Sequence, residues 1–432
     1  MLESLNLRDH IEFMQGNILV LTIIRALGQL SRSMVFPYAS LYILALGGSP
    51  KQIGLITALS PLAGLIVFPL GGHIADHVGR VKLIAFGGYV SSAILLLYVL
   101  APSWQLLAAA TLLRGLLVIQ FPASSAILAD SLAPEDRGKG VAVMNTIAGT
   151  LALVAPYLAG LVLETYGDET GMRALYGVMT VVYVTNAAIS HRFLQETSNA
   201  PQKGLDLSDL PDLLGKAYKG IPALLRSLPT TVKAVALICT LGFVANAIAG
   251  PYWVVYALDT IELSATDWGL ILLIEMGLRT LASMPAGVAV DRYGRATFIR
   301  GALLVSGIAM PLYLIAGGFV QVLLIRAAIA IPQAFFLPAS AALMADALPR
   351  DVRGRAMAVL GQGSVLLCPS SGGTGGPGLG LLVVPPVMVG SLLGGFLFEL
   401  SPVLTWLTSL AALLIALVIA LTVLRDPKRA EV

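Results

Sequence analysis

Six side chains able to do chemistry stand where a chain seldom keeps charge, inside long apolar stretches: Arg25, Arg32, Arg114, Glu275, Arg279 and Arg326. A charge at bilayer depth costs about 3 kcal/mol by insertion scales, so such residues face a wet cavity or a partner and mark a solute or ion pathway. Arg25, Gln29 and Arg32 are spaced four and three apart, which puts them on one face of a helix. Arg326 and Gln333 form a similar seven-residue stripe. Arg114 precedes Asp130 by sixteen residues, about 24 Å of helix, which predicts a place near the membrane centre. Glu275 and Arg279 lie four apart with the acid first, the favourable order for a helical ion pair. Glu275 is the one carboxylate clearly within an apolar span and is therefore the candidate proton carrier. Burial and Arg279 pull its proton affinity in opposite directions; a buried pair that only fixes helix packing is the competing reading.

A second constellation sits where apolar stretches end. Residues Gly72 to Arg80 read Gly-His-Ile-Ala-Asp-His-Val-Gly-Arg, and 215 positions later Gly287 to Arg295 read Gly-Val-Ala-Val-Asp-Arg-Tyr-Gly-Arg. The glycines allow tight turns close to a neighbouring helix, and an Asp at a helix end pairs with Arg and caps amides. Asp130 and Asp346 are further partners by position. The expectation is a gate built from Gly72, Asp76, His77, Gly79, Arg80 and Asp130, with Asp291, Arg292, Gly294, Arg295 and Asp346 as its counterpart; charges that merely solubilise loops are the bland alternative. His73 and His77 would share a helix face. Two imidazoles without a third ligand make a poor metal site, and no metal or other cofactor is expected. A pH-sensitive gate at His77 stands against an ordinary loop histidine.

Elements long enough to hold these residues at depth are plentiful. The chain has 432 residues, 57% hydrophobic and 12% charged, with mean hydropathy +0.86, which excludes a soluble domain with a polar exterior. Apolar stretches matched to a bilayer, about 20 helical residues each, occur near 17–46, 52–74, 83–101, 104–130, 141–163, 172–193, 231–258, 268–290, 299–317, 319–346, 379–398 and 402–424. The expected fold is an all-α membrane protein of twelve transmembrane helices in two pseudo-symmetric six-helix bundles. With both termini cytoplasmic, the inner segments hold 20 of the 27 basic residues and the outer loops only Lys51 and Arg173, the bias that orients multi-pass proteins. The net charge of +3 records this bias and gives no reason to expect nucleic acid as a partner. No cleavable signal is read at the N-terminus. Cys239 and Cys368 lie in distant apolar surroundings and read as small apolar residues rather than a disulfide.

The chain also repeats itself. Pro37-Tyr38 with Tyr42 recurs as Pro251-Tyr252 with Tyr256, Gly54-Leu-Ile as Gly269-Leu-Ile, Pro122-Ala-Ser as Pro338-Ala-Ser, and Arg137-Gly138 as Arg353-Gly354, all at offsets of 214 to 216. This divides the chain into a bundle over 1–193, a linker over 194–230 and a second bundle over 231–432. Residues 207–219 of the linker suggest a short helix lying on the membrane surface. Ala159-Gly160 and Glu164 match Gly394-Gly395 and Glu399 only at an offset of 235, so about 19 residues have been added before the eleventh span, including a Gly-rich run near 362–380. No Lys-Ser or Lys-Thr follows that run and no strand precedes it, which argues against a phosphate loop and for an interruption of the helix.

On these residues the chain resembles the major facilitator superfamily over essentially its whole length. Gly72, Asp76, Gly79, Arg80 and Lys82 match that family's loop between the second and third helices, and Gly287, Asp291, Arg292, Gly294 and Arg295 match it in the second half. The resemblance implies two six-helix repeats that rock about a central site, and a loop cluster that latches the cytoplasmic side. Arg114 resembles the fourth-helix arginine of proton-coupled members. The antiporter signature of the fifth helix survives only as Ala155-Pro156 with Ala159-Gly160, and small residues there also serve close helix packing alone. The first-helix acid common in cation exporters is replaced by Arg25 and Arg32.

The reading at this level is a monomeric, multi-pass plasma-membrane transporter and not an enzyme. It moves a small organic solute by alternating access, with protons as coupling ion and efflux as direction. The alternative is an importer or exchanger of an anionic metabolite, since five intramembrane arginines face one carboxylate; a receptor on the same scaffold comes last. Tyr38 and Tyr252 are placed with Arg25, Gln29, Arg32, Arg114, Glu275, Arg279, Arg326 and Gln333 on the pathway, although tyrosines near helix ends serve equally as interface anchors.

Overall fold

A computed structural model describes residues 14–198, 215, 218–348, 353–361 and 380–424, with backbone only at 63, 64, 66–73, 75–77, 353–355 and 358. Its spans are α1 (Gly16–Ala45), α2 (Pro50–Val78), α3 (Arg80–Val99), α4 (Trp104–Asp130), α5 (Arg137–Tyr166) and α6 (Asp168–Phe193) in the first half. The second half holds α7 (Thr230–Asp259), α8 (Ala265–Tyr293), α9 (Arg295–Ile315), α10 (Phe319–Ala347), α11 (Val384–Leu400) and α12 (Pro402–Thr422). The protein is an all-α, multi-pass membrane protein. Several helices overrun the apolar stretches that announce them: α5 begins at Arg137 and α8 ends at Tyr293. Hydropathy registers the hydrocarbon-depth middle of a helix, whereas its ends carry polar residues into the headgroup layer.

Local chemistry repeats with the sequence. Gly79 separates α2 from α3 at φ 95° and Gly294 separates α8 from α9 at φ 92°, a region where a side chain is strained and glycine is not. Ser49 and Ser264 open α2 and α8 with capping boxes: the Ser49 amide donates to Gln52 Oε1 at 2.7 Å, and Ser264 Oγ accepts the Asp267 amide at 3.0 Å. The 3₁₀ turns Phe36–Tyr38 and Gly250–Tyr252 break α1 and α7 at Pro37 and Pro251, which lack the amide an α-helix needs.

Of the linker, Ile221–Ser227 forms a short helix, and Tyr218 donates its hydroxyl to the Leu65 carbonyl of α2 at 2.6 Å. The surface helix expected over 207–219 lies almost wholly outside the described residues, as does the glycine run at 362–379. The flanks of that run do meet. The short helix Arg353–Leu360 precedes it, and the Val359 carbonyl accepts the amide of Leu382 at 3.0 Å. In an unbroken helix residue 363 would fill that role, so the ladder resumes nineteen residues late. Gly380 crosses the backbone of Leu360 and Gly361 with no room for a Cβ.

Within the first half α1 packs on α5 and α6, α2 on α4, and α3 on α6; within the second α7 packs on α11 and α12, α8 on α10, and α9 on α10 and α12. Between halves two contacts dominate, α2 with α11 and α8 with the Ala155–Tyr166 arm of α5. The duplication exchanges one for the other. Both lie at the end bearing Ser49 and Ser264, called here the seam end. Toward the loop end, which bears Gly79 and Gly294, the Arg137–Ala152 arm of α5 packs on α1, while Met284 and Val288 of α8 remain 75% exposed. Among the described residues the halves meet at one end and part at the other.

Candidate functional site

Small residues make the seam. A Cβ on Gly54 would stand 2.5 Å from the Ser391 carbonyl oxygen, and one on Gly269 would stand 2.5 Å from that of Pro156. Gly395 faces the Pro50 carbonyl as Gly160 faces that of Ala265. Tyr38 and Tyr252, predicted on the pathway, are fully buried in this seam. The Tyr38 hydroxyl lies 2.9 Å from both the Pro156 and Ala265 carbonyl oxygens, and Tyr252 donates to that of Pro50 at 3.0 Å. Among the described residues the α2–α11 seam alone carries an ion pair, Lys51 Nζ to Glu399 Oε1 at 2.8 Å, with Ser49 Oγ donating to the other carboxylate oxygen at 2.8 Å. Thr266 and Glu164 occupy the equivalent positions in the other seam.

Below the seam, the first half gathers its arginines. On α1 Arg25 is exposed and Arg32 half-buried. Arg32 donates from Nη2 to Gln29 Oε1 at 3.1 Å and from Nη1 to the Tyr183 hydroxyl of α6 at 3.4 Å. Arg114 comes from α4, just before the 3₁₀ turn Leu117–Ile119. Its guanidinium lies 4.9 Å from the centre of the Phe36 ring and faces the hydroxyls of Tyr98 and Tyr183. Asn186 fastens α6 to α1 through the Ile24 carbonyl at 3.1 Å. None of these three arginines has a carboxylate partner among the described residues.

The second half does the opposite. Arg326 is fully buried and donates to one oxygen of Glu275 from Nε at 2.8 Å and from Nη2 at 2.6 Å. The other side of its guanidinium lies 4.7 Å over Trp253, in an aromatic wall that continues through Tyr313 and Trp406. The helical pair expected between Glu275 and Arg279 therefore does not form: α10 delivers Arg326 to the carboxylate, while Arg279 is half-buried without a carboxylate partner among the described residues. Two donors on one oxygen in a dry site outweigh the contact offered along a single helix. Gln333 is buried with neither amide atom hydrogen-bonded among the described residues.

At the loop end the sequence repeat becomes a pair of matching ion pairs. Arg80 binds Asp130 and donates to Thr197 Oγ1 at 3.0 Å; Arg295 binds Asp346 and reaches Asp291 at 3.6 Å. Each pair joins neighbouring helices of one half and spans no gap between halves. Arg292 is exposed, stacked 5.4 Å from the Tyr293 ring. Gly72 lies within α2, and the side chains of Asp76 and His77 fall outside those described.

Tyr183 and Asn186 are absent from the sequence-level candidates. A signal existed: Tyr176, Tyr183, Asn186 and Ser190 form a polar stripe at helical spacing on α6. Without charge it reads as ordinary core.

The sequence pattern described as Major Facilitator Superfamily matches residues 21–256 and again 235–432. The multidrug resistance protein MdtG of Serratia proteamaculans is 27% identical over 40% of this chain and 42% of its own. The multi-drug resistance efflux pump PmrA homolog of Lactococcus lactis is 30% identical over 36% of this chain and 40% of its own. The aligned stretches thus span less than half of each relative's length. Among solved structures, a mutant of the nucleoside transporter NupG superposes with TM-score 0.71 at 14% identity, covering 94% of this chain and all of that one. A bacterial homolog of the human lysosomal transporter Spinster, inward-facing and occupied, gives 0.68 at 16% identity, covering 94% and 95%.

Proposed function

Because the chain belongs to the Major Facilitator Superfamily, we propose that it is a proton-linked secondary transporter exporting a small organic solute across the plasma membrane as a monomer. The observation that carries this reading is the one-ended junction: homologous halves locked by a pseudo-symmetric seam, parted at the other end, with arginines at mid-depth between. Rocking about the site would transfer close packing from one end to the other. The excess of Lys and Arg at the loop end favours the cytoplasm for that end and for both termini, and in that orientation this conformation faces inward. Export is supported by the names of the two relatives, a multidrug resistance protein and an efflux pump homolog.

Glu275 is the proton carrier in this scheme. Arg326 occupies its carboxylate while the halves are in this conformation, and displacement of that guanidinium on rocking frees Glu275 to take a proton. Arg80–Asp130 and Arg295–Asp346, each internal to one half here, hold the loop glycines in place and, with Asp76, form the latch when the loop end closes. Import or exchange of an anionic metabolite is the second reading, favoured by the three arginines of the first half that lack a carboxylate partner among the described residues.

The deciding experiment is flux in proteoliposomes of the full chain under an imposed pH gradient, screened over cationic, neutral and anionic solutes. Solute movement that follows the gradient in wild type and loses that dependence in Glu275→Gln, with solute binding retained, is expected. Flux of every solute indifferent to the gradient would end the proton-linked reading.

A further inference from the structure

Arg32, Tyr183 and Arg114 come from three helices, α1, α6 and α4; Arg32 donates to the Tyr183 phenol oxygen at 3.4 Å, and Arg114 lies near the same phenol with its guanidinium 4.9 Å from the Phe36 ring centre. Arg32 lies sixteen residues from Gly16, and Arg114 sixteen from Asp130, so both stand about 24 Å from the loop end of their helices. Two guanidiniums side by side at that depth repel each other, and no carboxylate among the described residues neutralises either one. The contrast with Arg326 shows that this fold is able to neutralise a buried guanidinium with an acid. In the first half it leaves the acid out.

Donors outnumber acceptors in this cluster, where Asn186 Oδ1 is the one buried acceptor without a partner among the described residues. A guanidinium has donors and no acceptor, so the Tyr183 oxygen accepts from Arg32 while its own proton needs an acceptor elsewhere. No acceptor for that proton appears among the described residues. Arg32 and Arg114 beside it bring further N–H donors, and neither guanidinium meets a carboxylate among the described residues. One chemical group answers this set: a planar anion with two oxygens, which a guanidinium fork binds in two-point fashion. Aromatic rings stand beside Arg114, Phe36 against the guanidinium and Tyr98 and Tyr176 close by, a setting that suits a ligand whose body is apolar and flat.

We infer that Arg32, Arg114 and Tyr183 form the head-group subsite for an organic carboxylate with an apolar body. It binds anion-end first to the first half, while the sequestered Glu275–Arg326 pair contributes no net charge to recognition. This rests on the transporter reading above and names the substrate class of that site. The three residues share the work unequally: the two guanidiniums supply charge and fork geometry, and Tyr183 sets the spacing between them and donates one neutral hydrogen bond.

The test separates binding from transport. Full-length protein in detergent is titrated with the fluorescent probe 2-naphthoate, its neutral isostere 2-naphthamide and the cation 2-naphthylmethylammonium. Wild type is expected to bind naphthoate at least about tenfold more tightly than either, the scale of one charge-assisted hydrogen bond. Arg32→Gln and Arg114→Gln should each weaken naphthoate by about tenfold or more and leave naphthamide within about twofold; Tyr183→Phe should weaken it about threefold to tenfold. Equal affinity for acid and amide, tighter binding of the cation, or arginine variants that keep the wild-type preference would overturn the inference. Should a variant fail to fold, the wild-type order of the three probes still decides. Binding with the predicted order but no flux of any probe in proteoliposomes would refute the transporter reading and leave the anion subsite standing.

Discussion

Each half of this protein carries arginine to bilayer depth, and the two halves treat it differently. The second half buries Arg326 completely, supplies Glu275 from the neighbouring helix and closes an indole over the guanidinium. The first half leaves Arg25 exposed and Arg32 and Arg114 half-buried, with phenols and an amide as company. Desolvating an ion is repaid only by a partner of good geometry. Where the partner is present the charge becomes part of the packing, and where it is absent the charge stays available to whatever enters between the halves. The duplication did not impose this. Ala110 and Ala330 stand at the positions equivalent to Arg326 and Arg114, so the two copies of the scaffold do not share these arginines.

The strongest way to break the comparison is to remove one member of the buried pair. Arg326→Met should destabilise the protein by about 3–5 kcal/mol, and adding Glu275→Met should restore most of that loss, because two apolar side chains leave no unpaired charge. Thermal unfolding in detergent reads both; a double variant no more stable than the single one would show that the pair is not the unit described.

Next in size is the seam that both halves share. Gly54→Val places a branched side chain against the Ser391 carbonyl, 2.5 Å from the position of the new Cβ, and Gly269→Val does the same against Pro156. Overpacking of this kind costs about 1–3 kcal/mol, and parting the seam relieves it. Cysteines placed beside Ser49 or Ser264 should therefore gain reactivity toward an impermeant maleimide in either variant, and equal reactivity to wild type would show that the seam does not hold this conformation.

A smaller effect distinguishes the two seams. Tyr38→Phe strips a hydroxyl that lies between two buried carbonyls, Tyr252→Phe one that serves a single carbonyl backed by the Lys51–Glu399 ion pair. Each loss is about 1 kcal/mol, with Tyr38→Phe the larger. Raising salt should narrow the difference, because weakening the partly exposed Lys51–Glu399 pair leaves the Tyr252 bond with less support; the reverse ranking at low salt in unfolding measurements would contradict this account.

The smallest change in stability is expected where the chemistry is greatest. Arg32→Gln removes a guanidinium with no carboxylate partner among the described residues, and its unfolding free energy should shift by less than about 1 kcal/mol, the range of substitutions that break no buried network. A loss on the scale of Arg326→Met would erase the distinction between the halves.

Much of this was legible in residue order because it depends on local rules. The spans follow from hydrophobic length, the glycines at 79 and 294 from the turns between helices, and the Arg–Asp pairs at the loop end from two copies of one pattern. The nineteen-residue offset of the eleventh span reappears as the carbonyl of Val359 bonding across the excursion. Spacing along one helix also points correctly to a shared face for Gln29 and Arg32, which bond to each other.

Partners on other helices were not legible. The i,i+4 rule offers Arg279 to Glu275, but a rule for one helix cannot weigh a donor arriving from the next, and Arg326 makes two bonds where Arg279 makes none to that carboxylate. Tyr38 and Tyr252 read as amphipathic walls or interface anchors, and it took the docking of α5 against α8 and of α2 against α11 to turn their hydroxyls onto carbonyls of facing helix ends. Tyr183 carried no charge to distinguish it from core. Sequence alone determined that the chain crosses a membrane as two copies of one six-helix unit, since that follows from apolar length and internal repetition. Tertiary structure alone decided which end is sealed and which arginines are neutralised, because both depend on distances between helices that no periodicity along a single chain encodes.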